Sequence, residues 1–181
     1  MNKVSVVLID GGNVINGWWR FCEQNHLKAK IDYAKLVKKL SEGTDLLRGY
    51  FYDGVPEYLQ KGKKVFFEAL QKQGIQLRTK TLKNRTNTCS NCGYTEQKAV
   101  QKGVDVSLAT DILRHAWQRT CNICIVVSGD EDYKDAIECV KDKGIKVWVA
   151  SFKCCLSFEM RKIADKMIFL DDIFNDIIMT Y

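Results

Sequence analysis

The chain has 181 residues, of which 46% are hydrophobic, so it is long and apolar enough for one domain, and it has no low-complexity tract or internal repeat. Its net charge of +6 is compatible with a polyanionic partner but does not require one. The apolar run 4–9 is too short for a signal peptide and no segment approaches the length of a transmembrane helix, so we expect a cytoplasmic protein without membrane contact.

Predicted strands and helices alternate along the chain. The run 4–9 is β-branched and continuous, which is typical of a strand buried on both faces, and it ends at a loop signal that begins with Asp10. The first half then continues with a helix that follows the N-cap Asp32 and ends just before Gly43, a strand at 46–52, a helix from Pro56 to about Gly74 and a strand at 75–82. The second half has a helix around 104–116, a strand at 123–127, a helix at 130–143, a strand at 145–150, a helix around 156–164, a strand at 167–170 and a terminal helix.

This alternation predicts βαβ units with right-handed crossovers. The expected fold class is therefore α/β, with three α/β/α layers around a central, mostly parallel sheet. In such sheets ligands bind beyond the carboxyl ends of the strands, where the strand order reverses. Functional side chains are expected at those strand ends.

Carboxylates occur at three such positions. Asp10 follows the first strand, Asp105 lies in the first turn of a predicted helix, and Asp130 follows the strand 123–127. Carboxylates held close together repel, which raises their pKa values and destabilises the fold unless a cation is present. A few carboxylates with water and substrate phosphate suffice for Mg²⁺, which can then activate water towards a phosphodiester.

The alternative is that these residues only cap helices or form turns. An Asp at a helix start is a common N-cap, and Gly11 with Gly12 could simply make a turn. The acids follow separate strands, however, and would converge on one edge of the sheet. This convergence favours a metal site.

Three motifs carry a family resemblance. They are residues 6–13, 102–111 and 127–133, which read VVLIDGGN, KGVDVSLATD and VSGDEDY. In this order they resemble the NYN domains of the PIN-like nuclease superfamily, particularly the bacterial LabA-like branch. The resemblance covers nearly the whole chain and implies one PIN-like, Rossmann-like domain over 1–181, interrupted by a basic, cysteine-containing loop at about 82–101. It also implies an endoribonuclease that depends on Mg²⁺ or Mn²⁺.

The resemblance assigns roles residue by residue. Asp10, Asp105 and Asp130 match the positions that hold the metal, and Asn13 matches an asparagine that orients water or substrate. Asp132 matches a second acid, which could act as an outer-shell ligand, and Tyr133 stands where an aromatic residue, often Phe, is usual.

Asp111 also fits the second motif. It lies six residues after Asp105, a helical rotation of about 240°, so the two side chains do not share a face. Direct coordination and an outer-shell or structural role both stay open for Asp111.

Basic residues around the predicted loop are candidates for RNA phosphates, whether the RNA is single-stranded or structured. They are Arg78, Lys80, Lys83, Arg85, Lys98 and Lys102. Ser128 is a further substrate-binding candidate, because with Gly129 it could leave the following helix N-terminus open to a phosphate; a plain cap is the alternative. Of the adjacent Trp18 and Trp19, one could stack on a base while at least one belongs to the core.

Cys89 and Cys92 have the spacing of half a zinc knuckle. Eight cysteines in a chain without an export signal favour reduced thiols, metal ligands or core residues over disulfides. A closed zinc site needs two more ligands, which a homodimer could supply, and surface thiols are the alternative. Zn²⁺ is thus an open cofactor prediction beside Mg²⁺ or Mn²⁺.

Two other functions compete with the ribonuclease. A regulatory RNA-binding protein could keep the fold with weak catalysis, although the complete set of acids argues against it. A small-molecule phosphohydrolase with an Asp-x-Asp motif is disfavoured because Gly12 occupies the second acidic position.

Overall fold

The protein is described here by a computed structural model that covers residues 3–56, 58–88, 91–100 and 103–179. Its strands are β1 (Val4–Asp10), β2 (Asp45–Val55), β3 (Ile75–Thr81), β4 (Lys83–Thr88), β5 (Thr95–Val100), β6 (Ile123–Val127), β7 (Lys146–Ser151) and β8 (Lys166–Phe169). Its α-helices are α1 (Gly11–Gln24), α2 (Tyr33–Leu40), α3 (Lys61–Lys72), α4 (Val104–Trp117), α5 (Lys134–Asp142) and α6 (Phe158–Ile163). Short 3₁₀ turns lie at Glu131–Tyr133, Lys153–Cys155 and Phe174–Asp176.

The central sheet has six strands in the order β3-β2-β1-β6-β7-β8, and every neighbouring pair is parallel. The chain builds outward from β1 to β3 on one side and from β6 to β8 on the other, so the order reverses between β1 and β6. Ile9 of β1 pairs with Val127 of β6. The ends of these two strands, and the motifs that follow them, therefore lie side by side at the switch point where such sheets bind ligands.

Alternate residues of β1 enter two separate cores. Val7 and Ile9 pack with the layer that includes α1 and α2, whereas Val6 and Leu8 pack with α4 and α5. Successive side chains of a strand point to opposite faces, so a continuous apolar run needs helices on both sides of the sheet. The predicted three-layer α/β architecture is confirmed.

Several predicted boundaries are wrong. The segment after β1 is not a loop but the start of α1, since the side chain of Asp10 caps this helix by accepting a hydrogen bond from the backbone N–H of Asn13 at 3.0 Å. Gly11 is needed there for space, because a Cβ would lie 2.7 Å from the carbonyl oxygen of Tyr52. Helix α3 begins after its N-cap Gln60 rather than at Pro56.

The structure also differs from the prediction at the basic loop, expected at about 82–101, and at the terminal helix. β4 and β5 form an antiparallel hairpin, in which Lys83 pairs with Val100 and Thr88 with Thr95. Paired backbone groups satisfy each other's hydrogen bonds, so even this polar segment adopts strand structure. After β8, the chain described up to residue 179 makes a 3₁₀ turn at Phe174–Asp176 instead of an α-helix.

Among the described residues, no helix is long and apolar enough to cross a membrane.

The tight packing of α1 leads to a prediction about stability. A Cβ at Gly17 would lie 2.6 Å from the Phe152 ring, whereas a Cβ at Gly62 in α3 would meet nothing within 4 Å. Gly17→Ala should lower the free energy of unfolding by about 1–3 kcal/mol, as overpacking of a tight core does. Gly62→Ala, the matched control, should leave it unchanged or raise it by roughly 0.5–1 kcal/mol. Equal values for the two variants in equilibrium urea denaturation would show that α1 is not tightly packed there.

Candidate metal centre

Two acidic residues that are distant in sequence meet at one hydroxyl group. The Oη of Tyr133 lies 3.1 Å from Oδ2 of Asp10 and 3.2 Å from Oδ1 of Asp105. Asp10 comes from the end of β1, Asp105 from the first turn of α4, and Tyr133 from the 3₁₀ turn after β6. Asp10 and Tyr133 are buried, with exposures of 5% and 1%, and Asp105 is partly buried. The switch point therefore holds a pair of converging carboxylates.

The carboxylate of Asp10 is anchored through both of its oxygens. Oδ1 accepts from the backbone N–H of Asn13 at 3.0 Å, and Oδ2 accepts from the Oγ of Ser128 at 3.1 Å in addition to Tyr133. Burial raises the pKa of Asp10, and the charge of Asp105 adds to this effect, while the hydrogen bonds work against it. The carboxyl group is thus fixed in orientation but destabilised in its charged form.

The loop after β6 ties Asp130 to the same place. The Oγ of Ser128 accepts from the backbone N–H of Asp130 at 3.2 Å, and the backbone N–H of Gly129 donates to Oδ1 of Asn13 at 3.1 Å. A Cβ at Gly129 would lie 2.0 Å from the carbonyl oxygen of Cys155, so the loop is pressed against the chain after β7. The carboxylate of Asp130, partly buried, accepts from the N–H of Asp132 at 3.1 Å as an N-cap.

The donor set suits a hard divalent cation with an incomplete protein shell. Within the ranges that the structure describes, no group of three or more His, Cys, Asp or Glu side chains is placed to hold a metal ion. Asp10 and Asp105 nevertheless provide converging carboxylate oxygens. Mg²⁺ is typically bound by one or two carboxylates and completes its octahedron with water and substrate phosphate. Asp10 and Asp105 therefore fit such an ion, with Asp130 nearby through Ser128.

Asp111 lies in a separate polar cluster. Its carboxylate accepts from the Tyr52 hydroxyl at 2.8 Å, and it forms ion pairs with Arg78 at 3.3 Å and Arg114 at 2.6 Å. Asp111 itself is only 4% exposed. These partners balance its buried charge, so the structure favours the structural role that the sequence left open.

Two residues that were predicted to contact substrate already have partners within the protein. Ser128 is fully buried and its Oγ bonds the carboxylate of Asp10 and the backbone N–H of Asp130, so this side chain links the two acids, while phosphate binding at the helix N-terminus that follows stays a prediction. Arg78 is partly buried, with its guanidinium paired to Asp111 and placed over the ring of Tyr50. Its predicted binding of phosphate would have to compete with this pairing.

The structure describes only some of the other predicted site residues. Lys80 and Asp132 are exposed. Lys83, Arg85 and Lys98 lie on the hairpin strands β4 and β5, and the structure describes their backbone but not their side chains. Lys102 and Cys89 lie outside the described residues, and Cys92 is exposed, so the zinc hypothesis stays a prediction.

Sequence reasoning missed the importance of the Tyr133 hydroxyl. The motif identifies an aromatic position, but the contact to two carboxylates depends on how α4 and the turn after β6 pack together. Burial and both neighbouring carboxylates raise the pKa of Tyr133 well above its usual range. The phenol therefore stays protonated and acts as a hydrogen-bond donor.

The raised pKa of Asp10 predicts a dependence of stability on pH in metal-free protein. Because the folded pKa exceeds the unfolded one, the contribution of Asp10 to stability is fully present below the unfolded pKa and is lost as pH rises through the folded pKa. Asparagine does not titrate, so the stability of Asp10→Asn relative to wild type should increase from about pH 4 to pH 7.5.

Equilibrium denaturation in EDTA across this range measures the difference. Asp142→Asn, at an exposed position at the end of α5, controls for the loss of one negative charge. A difference between Asp10→Asn and wild type that does not change with pH would show that Asp10 is not destabilised by its burial.

Comparison with known proteins matches residues 5–171 to the NYN domain. The curated "Low amplitude and bright protein LabA" of Synechococcus elongatus is 25% identical over 174 residues, which cover 92% of this chain and 83% of that protein. A solved structure from Vibrio parahaemolyticus, described as a protein of unknown function, superposes with a TM-score of 0.72 at 18% identity and covers 98% of this chain and 97% of that one, so it shares the fold. Since the match extends over most of its length, the chain belongs to the NYN domain family.

Proposed function

We propose that the protein is a metal-dependent endoribonuclease, in which Asp10 and Asp105 bind Mg²⁺ or Mn²⁺ and Asp130 adds a third carboxylate at the same edge of the sheet. The observation that carries this proposal is the convergence of Asp10 and Asp105 on the Tyr133 hydroxyl, at the switch point of a parallel sheet. Membership of the NYN family supports a nuclease-like function.

The bound cation would supply Lewis-acid activation of water and stabilise the charge that develops on the phosphodiester. The protein residues hold the two carboxylates and orient them. Asn13 and Ser128 fix the two oxygens of Asp10, and Tyr133 keeps Asp105 beside it. These anchors come from rigid elements, which keeps the ligands in place without the metal.

Asn13 is suited to position a water molecule or a phosphate oxygen. Its Oδ1 accepts from Gly129, and its Nδ2 amide has no hydrogen-bond partner among the residues that the structure describes. The residue is partly exposed and lines a groove together with Asp130. The amide N–H of Asn13, next to two carboxylates, can donate a hydrogen bond to a substrate oxygen that the cation does not contact.

Hydrolysis without a covalent enzyme intermediate is the simplest chemistry for this site. Ser128 is fully buried and bonded to Asp10, and the pKa of Tyr133 is raised, so neither hydroxyl is prepared to act as a nucleophile. Water is then the attacking group, which agrees with a site built from carboxylates.

The direct test is cleavage of a labelled single-stranded RNA pool in Mn²⁺ or Mg²⁺. Wild type should cleave, EDTA should abolish cleavage, and Asp10→Asn and Asp105→Asn should each fall to the EDTA level because a carboxylate ligand is lost. Asp142→Asn, at an exposed carboxylate at the end of α5, is the matched control and should cleave like wild type.

Two results would contradict the proposal. Metal-dependent cleavage that survives in Asp10→Asn would place the active site elsewhere. RNA binding by wild type without turnover, unaffected by EDTA, would favour a regulatory RNA-binding protein.

Tyr133 offers a test on metal binding that does not depend on turnover. Tyr133→Phe keeps the ring but removes the hydroxyl shared by Asp10 and Asp105, so the dissociation constant for Mn²⁺ should rise by about 10- to 100-fold, as for other outer-shell partners. Isothermal titration of the metal-free protein measures this constant. Tyr58→Phe, at a side chain that is 85% exposed, is the control. An unchanged or tighter Mn²⁺ affinity in Tyr133→Phe would remove the positioning role from Tyr133.

A further inference from the structure

An apolar pocket of about 520 Å³ lies along the side of α1, away from the carboxylates. Its wall is made mainly of aromatic and aliphatic side chains from α1, the chain after α1, α2, α3 and the C-terminal segment. They include Trp18, Trp19, Tyr33, Phe66, Leu27 and Met179. Pockets of this size and character bind small planar or apolar groups.

The two adjacent tryptophans at this pocket differ in their surroundings. Trp18 is 8% exposed, stacks on Phe174 at 5.1 Å between ring centroids, and donates from Nε1 to the carbonyl oxygen of Ala29 at 3.3 Å. It is accounted for by the core. Trp19 is 72% exposed and lines the pocket, so burial does not explain its presence.

Two cationic side chains line the same pocket as Trp19, and a third follows Trp19 in the sequence. Lys28 and Lys30 line the pocket and are exposed, and Arg20 follows Trp19 directly and is also exposed. In the described part of the chain none of these three cations forms an ion pair with a carboxylate. An exposed aromatic ring beside an apolar pocket with unpaired cations matches the chemistry of a nucleotide, which combines a stacking base with an anionic phosphate.

Helix α1 connects this pocket with the candidate metal centre. Asn13, Asn16 and Arg20 line the groove that also contains Asp130, and Asn16 and Arg20 share a helix face because they are four residues apart. Trp19 lies nine residues after Asp10, a distance of about 13 Å along the helix axis. A single strand of a few nucleotides could therefore cover both sites.

We infer that this pocket binds an unpaired base of single-stranded RNA, with Trp19 as the stacking platform and Lys28 and Lys30 as phosphate contacts. The inference rests on the proposed ribonuclease function, since the strand whose base it binds would be the strand presented to Asp10 and Asp105. A base must be free of pairing to enter the pocket, so the site selects single-stranded over double-stranded RNA.

Binding is tested in EDTA, where no cleavage occurs, by the fluorescence anisotropy of a labelled single-stranded oligoribonucleotide. Trp19→Ala should weaken binding by about 5- to 150-fold, the loss expected when one base loses its stacking partner. Trp19→Phe should retain most of the affinity. Trp117→Ala, at a tryptophan on α4 that is 77% exposed and does not line the pocket, should bind like wild type.

The lysines and the strand type give independent readouts. Lys28→Gln with Lys30→Gln should lower the salt dependence of binding, because fewer phosphate contacts release fewer counterions. A fully paired duplex of the same sequence should bind more weakly than the single strand, and Trp19→Ala should not affect its binding.

The outcomes separate this inference from the proposed function. Metal-dependent cleavage with unchanged affinity in Trp19→Ala would overturn the base pocket and leave the nuclease standing. Loss of affinity in Trp19→Ala without any cleavage by wild type would support the pocket and overturn the nuclease. If sedimentation shows that Trp19→Ala dissociates a dimer while RNA affinity is unchanged, the pocket is a contact between two copies and the inference is wrong.

Discussion

The buried carboxylate of Asp10 determines the arrangement of the strand ends in this protein. It caps α1 through the backbone of Asn13, bonds the loop after β6 through Ser128, and contacts Tyr133, which also bonds Asp105. A buried charge is tolerated only when it is hydrogen-bonded or paired, and these contacts supply the hydrogen bonds but no cation. The same residue that joins three segments of the chain therefore leaves an unbalanced negative charge at the switch point.

This imbalance connects stability with function. Burial and the nearby Asp105 raise the pKa of Asp10, so the fold bears a cost at neutral pH that a divalent cation would remove. Another buried carboxylate, Asp111, shows the opposite solution, because two arginines and Tyr52 balance its charge within the protein. A buried carboxylate whose charge is balanced by protein cations, as in Asp111, has a structural role. A buried carboxylate at a strand end without such a partner among the described residues, as in Asp10, indicates a site for a ligand.

Helix α1 relates the two sites that we propose. Its first turn is fixed by Asp10, its polar face carries Asn13, Asn16 and Arg20 along the groove near Asp130, and its other flank carries Trp19. A rigid helix keeps a base-binding platform at a constant distance from the carboxylates, which suits an enzyme that positions a flexible strand. Arg78 contributes less to this surface than its charge suggests, because Asp111 already binds it.

The sequence by itself determined the α/β class, the acidic strand ends and the family, because apolar periodicity and short motifs are local properties of the chain. It did not determine that α1 begins at Gly11, where the close approach of Tyr52 from the neighbouring strand leaves no space for a Cβ. It also could not assign Ser128 and Tyr133 as anchors of Asp10, or separate the buried Trp18 from the exposed Trp19. Only the tertiary structure decided these points, because each depends on which segments pack together, and residues far apart in the chain supply the atoms that meet.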